Sequence, residues 1–143
     1  MAGLRGIGGT LVLDADGLTK LASKDRGTQI RFEAARKHRS KIVTAASTLT
    51  EVLRGGPRDA PFHHWLKLIT VIPVDQEYGR AAGELLGRTG LSGHRCAMDA
   101  LLAVVAMAQP RPVILLTSDP RDLGKLTEEP DRPKHERIAV VTV

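Results

Sequence analysis

The chain's 143 residues suit a single domain, long enough to bury a core and too short for two of ordinary size. A hydrophobic content of 42% and a charged content of 26% exclude disordered and fibrous classes, and aromatic residues at 3% argue against a base-stacking sheet for nucleic acid. The net charge of +5, from 21 Lys and Arg against 16 Asp and Glu, favours a polyanionic partner. Asp14 and Asp16 interrupt the apolar run after Leu13, so a secretory core of usable length is not expected. No window approaches the roughly 18 apolar residues of a membrane span. A cytoplasmic protein with no membrane association is the expectation. Cys96, the single cysteine, excludes an internal disulfide and reads as a buried, inert thiol.

In chain order, the Gly6 to Gly9 cluster precedes the first strand, whereas a phosphate-cradling loop follows one, so residues 1–9 read as a flexible N-terminus. A strand is predicted over 10–14 and helices over 15–22 and 27–38. These helices carry the densest basic run: Lys20, Lys24, Arg26, Arg31, Arg36, Lys37, Arg39 and Lys41, relieved by Asp25 and Glu33. Such a run is a solvated face or a binding patch. A strand over 41–45 and a helix over 48–54 follow. Residues 55–61 read as a loop by their Gly and Pro content, with His63 and His64 on the surface in a loop before Trp65. Then come a strand over 69–73, helices over 75–87 and 94–109, a strand over 112–117, a helix over 120–127, a loop at 129–133 and a strand over 137–142. Alternating strands and helices predict an α/β fold with five mainly parallel strands.

Asp99 is the most informative residue, the only charge between Cys96 and Ala108. An isolated carboxylate in an apolar helix costs several kcal/mol unless a metal or a cation compensates it. Arg95, one turn earlier, offers a structural partner; His94, about 140° round the helix, does not share its face. Three further acids could reach the same place: Asp14 after the first strand, Glu51 on the helix at 48–54, and Asp119 after Val113 to Ser118. In an open parallel sheet, sites form beyond the carboxyl ends of the strands where strand order reverses, and Asp14 and Asp119 both fall on that edge. Local readings compete: Asp16 as cap of a helix beginning at Gly17, Thr48 to Glu51 as a capping box, Asp119 as an N-cap before Pro120 with Asp122 at N3. Removing the five acids Asp14, Asp16, Glu51, Asp99 and Asp119 from the balance of 21 against 16 leaves a surface of +10.

Together, Leu11-Val12-Leu13-Asp14-Ala15-Asp16, Thr50-Glu51-Val52-Leu53-Arg54, Met98-Asp99-Ala100-Leu101-Leu102 and Leu116-Thr117-Ser118-Asp119-Pro120 resemble the acidic motifs of PIN-domain ribonucleases, nearest to the VapC-type toxins of bacterial toxin–antitoxin modules. The likeness spans about residues 10 to 142. It implies a three-layer α/β/α fold, Mg²⁺ or Mn²⁺ at the acids, and cleavage of single-stranded or loop RNA. As partners it implies the RNA substrate, a cognate antitoxin protein and a second copy in a homodimer. Carried over by motif, Asp14, Glu51, Asp99 and Asp119 are the catalytic acids and metal ligands, with Asp16 and Asp122 as further ligands. Thr117 fits the polar position before the fourth acid, and the extension ahead of Thr10 is a minor departure. Clustered carboxylates suit Mg²⁺ and Mn²⁺ better than a His and Cys site would, and no histidine is placed as a metal-free base. Lys20, Arg54, Arg95 and Arg121 are the basic residues nearest the motifs and suit the RNA backbone. The alternatives are a PIN-like module that binds RNA or protein without cleaving, and a phosphoacceptor receiver domain. For the latter Asp75 and Thr117 almost fit, but no lysine follows the last strand and Asp99 would have no role.

Overall fold

The computed structural model describes residues 8–143. Five strands, β1 (Thr10–Leu13), β2 (Lys41–Ala45), β3 (Thr70–Ile72), β4 (Val113–Thr117) and β5 (Ala139–Thr142), form one sheet in the order β3-β2-β1-β4-β5. Every pairing is parallel, with Leu11 opposite Ile42 on one side and Ile114 on the other. The chain builds outward from β1 through β2 to β3, then returns to place β4 on the opposite side of β1. Strand order therefore reverses between β1 and β4.

Among the described residues, seven α-helices cover the sheet: α1 (Ala15–Ala22), α2 (Arg26–Lys37), α3 (Leu49–Val52), α4 (Ala60–Leu66), α5 (Gln76–Thr89), α6 (Gly93–Met107) and α7 (Pro120–Leu126). Period-two alternation divides the core. Leu11 and Leu13 of β1, with Ile42 and Leu116, pack on Leu18, Leu21, Phe32 and the α4 side chains Phe62 and Trp65. Val12, with Val43, Val113 and Leu115, packs on α5, α6 and α7 through Ala82, Leu85, Ala103, Leu123 and Leu126. The result is the three-layer α/β/α arrangement. No helix among the described residues is long and apolar enough to cross a membrane.

Differences from the sequence reading are local. The helix expected over 48–54 is a 3₁₀ turn at Ala46–Thr48 followed by a single α-turn, α3. His63 and His64 are exposed as expected, but on helix α4 rather than in a loop. Pro61 lies in the first turn of α4, where proline costs no hydrogen bond, so it starts this helix and does not break it. Of the segment expected to be flexible, residues 1–7 lie outside the described residues. Gly8 N–H donates to the His38 carbonyl at 3.1 Å, and the Gly9 carbonyl accepts from Lys41 N–H at 3.0 Å. Gly9 has φ +39°, and a Cβ there would stand 1.8 Å from the Pro112 carbonyl oxygen.

The connection from α7 to β5 is pinned by Arg111. Its guanidinium donates to both oxygens of Glu129, at 2.6 and 2.8 Å, and to the carbonyls of Met107 and Glu136. Burial pushes the Glu129 carboxyl up, but Arg111 and Arg132 outweigh it and hold it below the usual range. A bidentate, largely buried pair of this kind is worth more than a surface ion pair. Glu129→Gln is expected to lower stability by about 2 kcal/mol, read as a lower urea midpoint at unchanged slope.

Candidate active site

The reversal between β1 and β4 opens a pocket of about 150 Å³ at the carboxyl ends of those strands. Asp14, Asp16, Glu51, Asp99 and Asp119 all line it, with Thr48, Met98, Leu102 and Thr117. Four different helical segments and two strand ends thus deliver five carboxylates to one place. A larger groove of about 580 Å³ between α5 and α6 shares no lining residue with it, and size alone does not mark chemistry.

Asp14 is placed by hydrogen bonds on every side of the β1 end. Its N–H donates to the Leu116 carbonyl, and the buried Thr44 hydroxyl donates to the preceding Leu13 carbonyl at 2.7 Å. Its Oδ1 accepts from Gly17 N–H at 2.8 Å, so Asp14 is the N-cap of α1. Asp16 then sits in the first turn of that helix rather than capping it. Both reach the pocket, and the Ser118 hydroxyl donates to Asp16 Oδ2. On the β4 side, the Thr117 hydroxyl accepts from Asp119 N–H at 3.0 Å. Its own proton lies within reach of the Asp119 carbonyl oxygen, at 3.3 Å, and of the Asp14 carboxylate. Asp119 also caps α7, accepting from Arg121 N–H at 3.4 Å, so capping and facing the pocket coincide.

Glu51 does not fold back in a capping box. Thr48 has helical φ and ψ and no side-chain cap bond, which leaves the Glu51 carboxylate free to face the pocket. The exit of α3 is fixed instead by Arg54, expected from the sequence to suit the RNA backbone, and by Asp59, which sequence reasoning passed over. The Arg54 guanidinium donates to the carbonyls of Thr50, Leu53 and Glu51, and the buried Asp59 accepts from the N–H groups of Arg54 and Gly55. The Gly55 N–H above all holds the Asp59 carboxyl below its usual range. Asp59 stands just ahead of a helix, the one signal that could have singled it out.

Asp99 has no ion pair among the described residues, and Arg95 is exposed, so the structural pairing of the two is not realised. Asp122 does not line the pocket. Its Oδ2 lies 3.8 Å from the buried Cys96 thiol, and its charge acts on Asp99. Burial, reinforced by that acid, pushes the Cys96 thiol up, in keeping with an inert side chain. Burial first, then Asp122, Asp119 and Asp16, raises the Asp99 carboxyl above its ordinary range. Burial and then Asp99, Asp14 and Asp16 raise Glu51. Asp14 rises to about 6, chiefly by burial, with Thr117 and Gly17 pulling the other way. A cation among these carboxylates would draw each of them back down.

The donor set is oxygen throughout, which suits Mg²⁺ or Mn²⁺. Among the described residues no three His, Cys, Asp or Glu side chains form a ready cage for one ion. Mg²⁺ keeps several of its waters and needs only one or two direct carboxylates, so a pocket of separated acids fits it better than a tight cage would.

Solved structures share this fold. A chain of VapBC2 from Rickettsia felis, bound to a DNA fragment from their promoter, superposes with a TM-score of 0.68 at 16% identity, covering 94% of this chain and 98% of its own. A toxin–antitoxin complex from Klebsiella pneumoniae gives 0.60 at 19% identity, over 78% of this chain and 88% of its own. FitAB bound to the IR36 DNA fragment gives 0.61 at 13% identity, over 92% and 94%. The PIN-like architecture is therefore common to this chain and to chains of toxin–antitoxin complexes. The sequence itself matches no protein-family model and no curated protein.

Proposed function

We propose that this protein is a metal-dependent endoribonuclease acting on single-stranded or loop RNA, working in the cytoplasm as the toxin of a toxin–antitoxin pair. The observation that carries the reading is the convergence of Asp14, Glu51, Asp99 and Asp119, from four separate segments, on one pocket with no basic side chain paired to them among the described residues. A phosphate backbone does not approach five carboxylates unless a cation lies between. The basic remainder of the chain, with Arg95 and Arg121 exposed close in sequence to the site acids, suits that backbone.

Asp14, Asp99, Glu51 and Asp119 are the residues that would hold Mg²⁺ or Mn²⁺, with Asp16 at the rim and Asp122 acting on Asp99 from outside the pocket. Such an ion supplies an activated water at neutral pH and charge stabilisation at the leaving oxygen. The chain's own contribution is orientation: Gly17 N–H and Thr117 fix the Asp14 carboxylate, Ser118 fixes Asp16, and the buried Leu102 supplies an apolar part of the wall. The fold shared with toxin–antitoxin complexes supports a small antitoxin protein as partner, and the PIN-like reading supports a homodimer. Purified protein incubated with labelled RNA is expected to cut it in Mg²⁺ or Mn²⁺ and to stop on addition of EDTA. Retention of the RNA uncut in both metals would leave a non-catalytic binding module as the reading. Growth arrest on expression, relieved by co-expression of the gene beside it, tests the toxin role, and arrest without relief counts against it.

A further inference from the structure

Among the acids at the pocket, Glu51 has the slightest support. Gly17 N–H and Thr117 hold Asp14, Ser118 holds Asp16, and Asp119 accepts from Arg121 N–H, while Asp99 rides on the 15-residue α6. Burial and the neighbouring acids act on the Glu51 carboxylate, and no hydrogen bond among the described residues does. Its backbone therefore decides where it points. That backbone is α3, a turn of 4 residues. A lone turn is costly, because it fixes several residues for one hydrogen bond, here from Leu53 N–H to the Leu49 carbonyl at 2.9 Å, and leaves its last carbonyls without helical partners.

Arg54 takes up those carbonyls. Its Nη1 donates to the Thr50 carbonyl at 2.9 Å and the Leu53 carbonyl at 2.7 Å, and its Nη2 to the Glu51 carbonyl at 3.3 Å. Most of the guanidinium donors are thus engaged by the chain's own backbone rather than by a phosphate. Asp59 fixes the base of this side chain. Buried ahead of α4, its carboxylate accepts from Arg54 N–H at 3.0 and 3.1 Å and from Gly55 N–H at 2.7 Å, across a turn in which Gly55 has φ +82°. The main chain of Arg54 is held where the guanidinium folds back over α3.

We infer that Arg54, seated by Asp59, is a positioning residue that clamps the single turn of α3 and so aims the Glu51 carboxylate into the acid pocket. The working feature is the fork of donors and not the charge, since a lysine ammonium does not reproduce that fork. For its effect on a bound ion the clamp rests on the metal-site reading above; for its existence it rests on the turn and the distances around it.

The test uses the full chain carrying Arg54→Ala or Arg54→Lys, each also in a Glu51→Gln background, with the exposed Arg58→Ala as charge-matched control. Arg54 is exposed and Val52 keeps the turn packed on the core, so these variants are expected to fold. In EDTA, amide hydrogen exchange at Leu53 is expected to be faster in both Arg54 variants and unchanged in the control. Mn²⁺ is then titrated against each protein, with free Mn²⁺ read by its electron-spin resonance. Both Arg54 variants are expected to lose on the order of tenfold in Mn²⁺ affinity, the usual effect of removing a group that orients a ligand. Once Glu51 is Gln, the same changes are expected to cost no more than about twofold, the scatter of independent changes. Equal losses in both backgrounds would mean a general effect on the fold, and recovery by Arg54→Lys would make the charge the working part. Either result overturns the positioning role, as do an unchanged Leu53 exchange, an unchanged Mn²⁺ affinity, or a control that loses as much as Arg54→Ala. A wild type that takes up no Mn²⁺ overturns the metal-site reading instead, and the Leu53 exchange still decides the clamp.

Discussion

Asp99→Asn is expected to leave the metal-free protein as stable as wild type or more stable, while removing most of the stabilisation that Mn²⁺ confers. Asp99 feels the charges of Asp122, Asp119 and Asp16 with no ion-pair partner among the described residues, and burial already raises its carboxyl. A neutral near-isostere relieves that repulsion and weakens the metal site at once. Wild type should gain about 2.7 kcal/mol at a free Mn²⁺ concentration 100 times the dissociation constant, and the variant much less. A structural pairing with Arg95 would give the opposite pattern, because loss of one partner strands the other: the variant would melt well below wild type in EDTA, and Mn²⁺ would stabilise both alike. Thermal melts of the two proteins with and without Mn²⁺ decide the matter.

Asp14 carries the second large effect, through pH. Its carboxyl titrates at about 6 in the folded protein against 3.8 for an unperturbed Asp, so between those values the folded state holds a proton that the unfolded chain has lost. Stability contributed by this group is therefore complete below about pH 4, falls as pH rises toward 6, and stays low above it. The difference is on the order of 3 kcal/mol at neutral pH. Asp14→Asn keeps an oxygen for the Gly17 N–H and removes the charge. In EDTA the variant is expected to exceed wild type in stability at pH 7.5 and to lose that advantage by about pH 4. Chemical denaturation at a series of pH values reads the gap directly, and a gap independent of pH would contradict this origin. Saturating Mn²⁺ should restore wild type at pH 7.5 and leave the variant largely unmoved.

The strands were legible because a sheet buried on both faces demands continuous apolar runs, and Leu11-Val12-Leu13 and Val113 to Leu116 are such runs. Asp14 and Asp119 were legible as the first charges after them, and Asp99 as a charge in an apolar helix. Local rules failed where a residue had two uses for one pattern. Pro57 and Pro61 punctuate a loop in sequence, yet in the structure they open a 3₁₀ turn and α4. Thr48 and Glu51 have capping-box spacing, but the chain enters α3 through a helical turn, so there is no free N-terminus to cap. The bond from Ser118 to Asp16 spans 102 positions, and the order β3-β2-β1-β4-β5 is a matter of pairing that no single stretch of residues encodes.

The central claim is that the acid pocket binds a divalent ion and uses it to cut RNA. Single-turnover cleavage of one labelled RNA by wild type and by Asp99→Asn, side by side in saturating Mn²⁺ and again in EDTA, measures it most directly. Wild type should cut in Mn²⁺ and not in EDTA, and the variant should be slower in Mn²⁺ by on the order of 10²-fold, the rate equivalent of a few kcal/mol of metal-borne stabilisation. Equal rates for the two proteins in Mn²⁺, or undiminished cleavage by wild type in EDTA, would contradict it.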